Sequence, residues 1–437
     1  MTAVTRPRML SARDHCARAF AVANTLQRLG RLRAADLLYR RILAVERDHF
    51  GALCGLGSIY CRQRRVDLAM PLFRRAAVTA GPSADAQLSL GRILRALGHP
   101  REAVMFCRAA LAFAPDHADA HLALADALSM LGRHDEAIVH YERSLALRPG
   151  QGGAHKSLGD TLQALGRLEE AAVHYRSALA ADPEHAAAHN GLGNALSALQ
   201  RHDEALGHYK RALAIQPRLA GVHVNAGNAL RRIGRLLEGA AHYRQAIGIA
   251  PDHVEARCHL GDALCALGRS DEAVVHYERA LALRPDFAAA HKGLGNAVRA
   301  EGRPAEAIGH YRRALAIRPD DAEAHCHLGG ALQMLGRVGE AIVQYETALA
   351  NAPQLADAHR HLAAALVEAG RPVEARAGLE AAVRLAPRQA DLHLTLAQAA
   401  PFTSGDSRLA AMETLADDMA SLPEEQQMSL HFALGKA

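Results

Sequence analysis

Apolar positions along this chain fall at helical spacing, not in strand-like alternation, and the whole pattern recurs every 34 residues. Prolines stand at 115, 149, 183, 217, 251, 285, 319, 353 and 387. Tyrosines keep the same interval at 141, 175, 209, 243, 277, 311 and 345, and Tyr39, Phe73 and Cys107 hold that phase upstream. With the proline as position 32, eleven units begin at 16, 50, 84, 118, 152, 186, 220, 254, 288, 322 and 356. Position 7 is usually Leu, as in Leu124, Leu158 and Leu192, and position 8 is always Gly or Ala, as in Gly159 and Ala363. Position 20 is Ala except for Gly239, and position 27 is Ala except for Ile42 and Ser144.

Small residues at 8, 20 and 27 let two helices approach closely, while Leu at 7 and Tyr at 24 fill the space between them. Position 15 is Gly in nine units, with Arg64 and Gln200 in the other two. Glycine there suits a left-handed residue ending the first helix. The proline stops the second helix and opens the next unit. Each unit is therefore predicted to be a pair of antiparallel helices.

These residues resemble the tetratricopeptide repeat family. The signature reads AHKSLGDTLQALGRLEEAAVHYRSALAADP over 154–183, and the resemblance runs from 16 to 389. One departure is His at position 4, where the family usually has Trp or Tyr. The resemblance implies an all-α α-solenoid, a right-handed superhelix with the first helix of each pair lining a concave groove. Each unit would touch only its neighbours, so stability would be roughly a sum over units and interfaces. The array is also similar to the N-terminal region of O-GlcNAc transferases.

Outside the array, residues 1–15 read as a short N-terminal extension and 390–437 as a C-terminal helical cap or linker. A twelfth first helix begins at Ala390, with His393, Leu396 and Ala397 at positions 4, 7 and 8. It is expected to break at Pro401, with FTSGD as a loop and a helix from Ser407 to about Ser421. Leu434 and Gly435 then fit positions 7 and 8 of an incomplete repeat, whose lone first helix would expose an apolar face. This tail resembles the linker joining such arrays to a sulfotransferase domain in some bacterial proteins.

Composition fits helices. Half of the residues are apolar, Trp is absent, and aromatics make up 4%. The net charge of +5 is uneven: residues 1–83 hold 15 Arg and 5 acidic residues, whereas 390–437 hold 2 basic and 7 acidic ones. The basic end favours acidic partners, but no aromatic stacking pattern accompanies its arginines, so nucleic acid is not expected. The seven cysteines form no C-x-x-C pair, no apolar run is long enough to span a membrane, and no secretory signal is evident. A cytoplasmic location follows as the expectation.

Candidate chemistry is sparse. G-x-S-x-G, H-E-x-x-H, Walker-type and G-x-G-x-x-G motifs do not occur, so neither catalysis nor a cofactor is expected. Histidines repeat at position 4 (His121, His155, His189, His223, His291, His325 and His359) and again at position 23 (His140, His174, His208, His242, His276 and His310). Equivalent sites in stacked units lie roughly 10 Å apart, too far for one metal to bridge. The first row reads as packing, and the second as lying near the surface of the second helix. Loosening below about pH 6.5 is a further reading of these rows.

Binding should reside where the period is broken. Positions 2, 5, 9 and 12 share one face of the first helix, flanked by 6. Candidate peptide-binding residues are Asp126, Asp160, Asn194, Asn228, Asp262 and Asn296 at position 9. Lys156, Asn190, Lys292 and Arg360 stand at position 5, and Asn225, His259 and His327 at position 6. Amides both donate to and accept from a peptide backbone. The same residues could equally serve only to keep that face hydrated. The family's clamp for acidic C-terminal peptides is matched by Lys292 and Asn296, but His327, Asp357 and His361 depart from it. Of the position-6 Asn row of O-GlcNAc transferases, only Asn225 is present. The leading expectation is an adaptor holding a protein or peptide partner in its groove. The alternative is the substrate-recruiting arm of a larger transferase.

Overall fold

The structure, a computed structural model, describes residues 12–399 and 407–435, and all of its regular structure there is helical. Residues 1–11, the expected break at Pro401 and the FTSGD loop lie outside the described residues. The chain divides into two compact units, Met1–Pro217 and Arg218–Ala437.

Within each unit one hairpin repeats. A first helix such as Ala118–Met130 is followed by a second such as His134–Leu147, then by Ala186–Ala198 and His202–Ile215 in the same frame two repeats later. The first helices from Phe50–Arg62 onward open at position 1 and run 13 residues. Their starts are capped locally: the Nδ1 atoms of His49, His117, His185 and His253 accept the backbone N–H three residues on. That satisfies a donor the helix cannot bond itself. Their ends turn through a left-handed residue at position 15. Nine of these are glycines, and Arg64 and Gln200 hold the same conformation at φ of 61° and 63°.

Between the helices lies the tyrosine of position 24. Tyr243, Tyr311 and Tyr345 have no exposed surface. On one side each ring meets the position-8 glycine of its own repeat: a Cβ built on Gly193, Gly227 or Gly295 would stand 2.6 Å from the ring. On the other side it meets position 6 of the next repeat. Gly191 and Gly293 stand so close to Tyr175 and Tyr277 that an added Cβ would lie 2.5 and 2.4 Å from the ring. Within a compact unit such a ring fastens its own hairpin and joins it to the next, as Tyr175 and Tyr277 do.

The tail departs from expectation. Helix Glu424–Leu434 does not stand alone; it packs on Ala390–Ala399. Leu430 and Ala433 join Ala390, Met412, Leu415 and Leu422 in a buried cluster. The intervening helix is Ser407–Asp417, shorter than expected, with a separate 3-10 turn at Met419–Ser421. Apolar surface of Ala390–Ala399 that would otherwise face water drives this folding back.

A non-glycine residue in the left-handed region costs roughly 1–2 kcal/mol. Gln200→Gly is therefore expected to raise stability by about 1 kcal/mol in denaturant unfolding, and Gly166→Gln, the reverse change one repeat earlier, to lower it by a similar amount. An unchanged midpoint for both would show that the turn carries no strain.

Candidate functional site

The position-9 residues take up the tyrosine hydroxyls. Tyr39, Tyr141, Tyr175, Tyr209, Tyr243, Tyr277 and Tyr311 donate to Asn24, Asp126, Asp160, Asn194, Asn228, Asp262 and Asn296 of their own repeats at 2.6–2.9 Å. Where position 12 is Gln, its amide shares the hydroxyl with position 9, as Gln27 does on Tyr39 and Gln163 on Tyr175, while Gln333 alone takes the bond of Tyr345. A buried phenol without an acceptor would be costly, so this row serves the scaffold. In the asparagines the bond uses the amide oxygen, leaving the NH2 group outside it.

The thirteen candidate residues are all half-buried or exposed, but several already bond within the chain. Lys156 meets Asp160 at 2.6 Å, and Lys292 bridges to Asp321 and Glu323 of the next repeat at 3.2 and 2.7 Å. His259 stacks over Tyr243 and lies 3.7 Å from Asp262, and His327 stacks over Tyr311 at 5.9 Å between centroids. Arg360 reaches Asp357 at 3.3 Å and donates to His361 Nε2 at 3.2 Å. Asn190 and Asn225 are half-buried on the same helix positions.

Two of the thirteen, His327 and Arg360, share an electrostatic environment with His361 and Arg299. Burial first, then Arg360, pushes His361 down to about 4. Arg299 was not singled out by sequence reasoning. It stands at position 12, on the face already identified, as do Arg95 and Arg231. In all three arginines the buried Nε lacks a hydrogen-bond partner.

The two histidine rows prove to be one feature. Position-4 and position-23 rings of a repeat meet Nδ1 to Nδ1 at 2.9 Å for His121 and His140, 3.1 Å for His155 and His174, and 3.0 Å for His189 and His208. His223 with His242 and His291 with His310 do the same at 3.0 and 3.5 Å. The second row is therefore half-buried against the first rather than simply at the helix surface. The position-4 Nε2 faces the carbonyl of the preceding proline, as His121 faces Pro115 at 2.9 Å. A carbonyl only accepts, so Nε2 carries the hydrogen and Nδ1 is left as acceptor for the partner ring. A second proton on the pair would set N–H against N–H.

In the last repeat Leu379 replaces the tyrosine and Ala364 the polar position-9 residue. An open cleft of about 290 Å³ follows, lined by Ala363, Ala364, Val367, Leu379, Thr395 and Gln398. The described cysteines are free thiols; burial pushes Cys54 and Cys107 up to about 12, well away from reactivity. Among the described residues no group of three or more His, Cys, Asp and Glu side chains is placed to hold a metal ion, and no helix is long and apolar enough to cross a membrane.

Three families, each described as tetratricopeptide repeat, match the chain. The first covers 20–85, 157–220 and 258–322; the second, 82–150 and 218–286; the third, 298–364 and 335–399. Among solved structures, the APC/C hetero-tetramer Cut9–Hcn1 is similar at 14% identity over 89% of this chain and 96% of that one, with a TM-score of 0.51. A tetratricopeptide repeat protein from Parabacteroides merdae is similar at 16% identity over 57% of this chain and 98% of that one, TM-score 0.49. YrrB, described as having an unusual peptide-binding site, is similar at 21% identity over 42% and 95%, TM-score 0.37. At such identities the first likeness speaks for the fold alone. No curated protein matches the chain, so the comparisons add nothing to the likeness to O-GlcNAc transferase and sulfotransferase arrays.

The histidine pairs make stability depend on pH. Burial first, then the partner ring, holds His140, His174, His208, His242 and His310 below their usual range. The unfolded chain takes up these protons near pH 6.5 and the folded chain only lower, so stability is full above that pH and is lost as pH falls through it. The thermal midpoint is expected to fall between pH 7.5 and pH 5.5. Changing those five histidines to Gln should flatten the fall, because Gln344 already fills this place opposite His325 at 2.8 Å. An unchanged slope would assign the pH dependence elsewhere.

Proposed function

Because the chain belongs to the tetratricopeptide repeat family, we propose that it is a protein-interaction scaffold that binds a polypeptide segment along the polar face of its first helices. The observation that carries this reading is a contrast within one repeat. Positions 7, 8, 20, 24 and 27 recur almost unchanged and are used up in packing. Positions 5, 6 and 12 differ from repeat to repeat and stay partly exposed in most of them. Variation on an otherwise periodic surface is where a partner can be distinguished, since the scaffold does not require it.

The chemistry of that face suits a peptide backbone. Asn190 and Asn225 can each donate and accept. Asn228 and Asn296 keep their NH2 groups outside the tyrosine bond and can offer them to a carbonyl. His327 and His361 lie flat on tyrosine rings and His259 leans on one at a tilt, presenting edges with a nitrogen. The apolar cleft beside Leu379 supplies a place for one aliphatic side chain of a partner.

A random dodecapeptide library selected on the full chain tests this. A photo-crosslinking residue placed at Asn190 or Asn225 should capture the selected peptides, whereas one at Val173 or Val275, exposed on second helices, should not. Capture confined to the second helices would overturn the reading.

A further inference from the structure

Position 12 carries arginine in three repeats, and the next repeat's position 9 decides what each one faces. Arg95 faces Asp126, with Nη1 3.6 Å from its carboxylate. The charges of Arg231 and Asp262 both act on Tyr243, without an ion pair between the two. For Arg299 the corresponding position 9 of the next repeat is Gly330. Among the described residues no carboxylate lies within ion-pair reach of Arg299, and its buried Nε has no hydrogen-bond partner. The space where the missing side chain would stand is open: a Cβ built on Gly330 meets only the Tyr345 hydroxyl, at 3.8 Å.

Two guanidinium groups and two imidazoles act on one another beside that space. His327, three residues before Gly330, and His361, on the next first helix, both feel Arg299. Arg360 leans on His361 from the same helix. The nearby acids are engaged: Asp357 with Arg360, Asp321 and Glu323 with Lys292, and Glu368 with the Gln333 amide. A guanidinium so placed holds its charge without a counter-ion, and a charge-assisted bond to an arriving carboxylate would be short and strong.

We infer that the open space over Gly330, walled by Arg299, His327, Arg360 and His361, binds a carboxylate of the partner polypeptide, which takes the place that Asp126 and Asp262 hold in the other two repeats. This rests on the first-helix reading above and adds the partner's chemistry: an acidic segment. It is distinct from the family's clamp, whose matching residues are used otherwise here, Lys292 by Asp321 and Glu323 and Asn296 by Tyr311.

The test uses the full chain and three fluorescein-labelled Gly/Ser peptides at low salt, read by anisotropy. One is amidated and carries a run of Glu, one is the same with Gln, and one has only a free C-terminal carboxylate. At least one carboxylate peptide should bind more tightly than the Gln peptide, and which one does identifies a side-chain or a terminal source. Gly330→Asp, which supplies the carboxylate from within, and Arg299→Gln, which restores the residue found at Gln163 and Gln333, should each weaken that binding about tenfold or more. Gly207→Asp adds the same charge at an open, exposed helix position and should leave it unchanged. Gly330→Asp should also raise the Tm above that of Gly330→Asn, a readout that needs no ligand. Equal binding of the Glu, Gln and C-terminal peptides would overturn the site. So would indifference to Gly330→Asp while Asn190→Ala and Asn225→Ala still weaken the peptide, which would leave the first-helix reading standing. Indifference to all four substitutions would remove both.

Discussion

A phenol ring that must be buried, with a hydroxyl that must find an acceptor, sets the terms for each repeat. The ring occupies the gap between the two helices only because a glycine or alanine stands at position 8. The hydroxyl then requires a side-chain oxygen one helix away, and Asn or Asp at position 9 supplies it in seven repeats. The same ring presses on position 6 of the following repeat where that residue is Gly191 or Gly293, and carries a stacked imidazole where it is His327 or His361. One side chain thereby dictates three other positions, two in its own hairpin and one in the next.

Polarity on the first-helix face consequently has two origins. The carboxylates and amides of position 9 look like a binding row but are first the acceptors of buried hydroxyls. Lys156 and Lys292 look like free cations but are ion-paired within the array. What remains for a partner is smaller than a residue count suggests. It includes the edges of the histidines stacked on tyrosine rings and the one position-12 arginine with glycine, Gly330, at position 9 of the next repeat. A scaffold built by repetition reveals such a place through an interrupted column, because the repeats on either side show what normally fills it.

The histidines show the same economy of partners. A tetratricopeptide array with imidazole in place of the larger aromatic at position 4 leaves a polar nitrogen in a buried place. The proline carbonyl accepts the hydrogen of Nε2 and the ring at position 23 faces Nδ1. In the His121–His140 pair both inward nitrogens are then bonded, which is the condition for a polar group to remain in a packed interface. The condition holds only while the pair carries at most one extra proton, so titration and packing are linked.

How much was legible in the residues follows from the range of the forces concerned. The 34-residue period, the left-handed glycine turn at position 15 and the helical pairing are local consequences of spacing, glycine and proline, and the sequence determined them without help; that Arg64 and Gln200 adopt the same conformation came from the structure. It also determined which face of the first helix is variable, because helical geometry alone assigns positions 2, 5, 9 and 12 to one side. The fate of the polar groups was decided only by the tertiary structure. Whether Asn228 meets a ligand or Tyr243, whether His140 faces water or His121, and whether Arg299 finds a carboxylate depend on residues 15 to 31 positions away, brought near by packing. The end of the chain shows it again: Leu430 and Ala433 are buried against Ala390 and Met412. A fragment of repeat pattern could not disclose that, since its partner is chosen by uncovered apolar surface and not by neighbouring sequence.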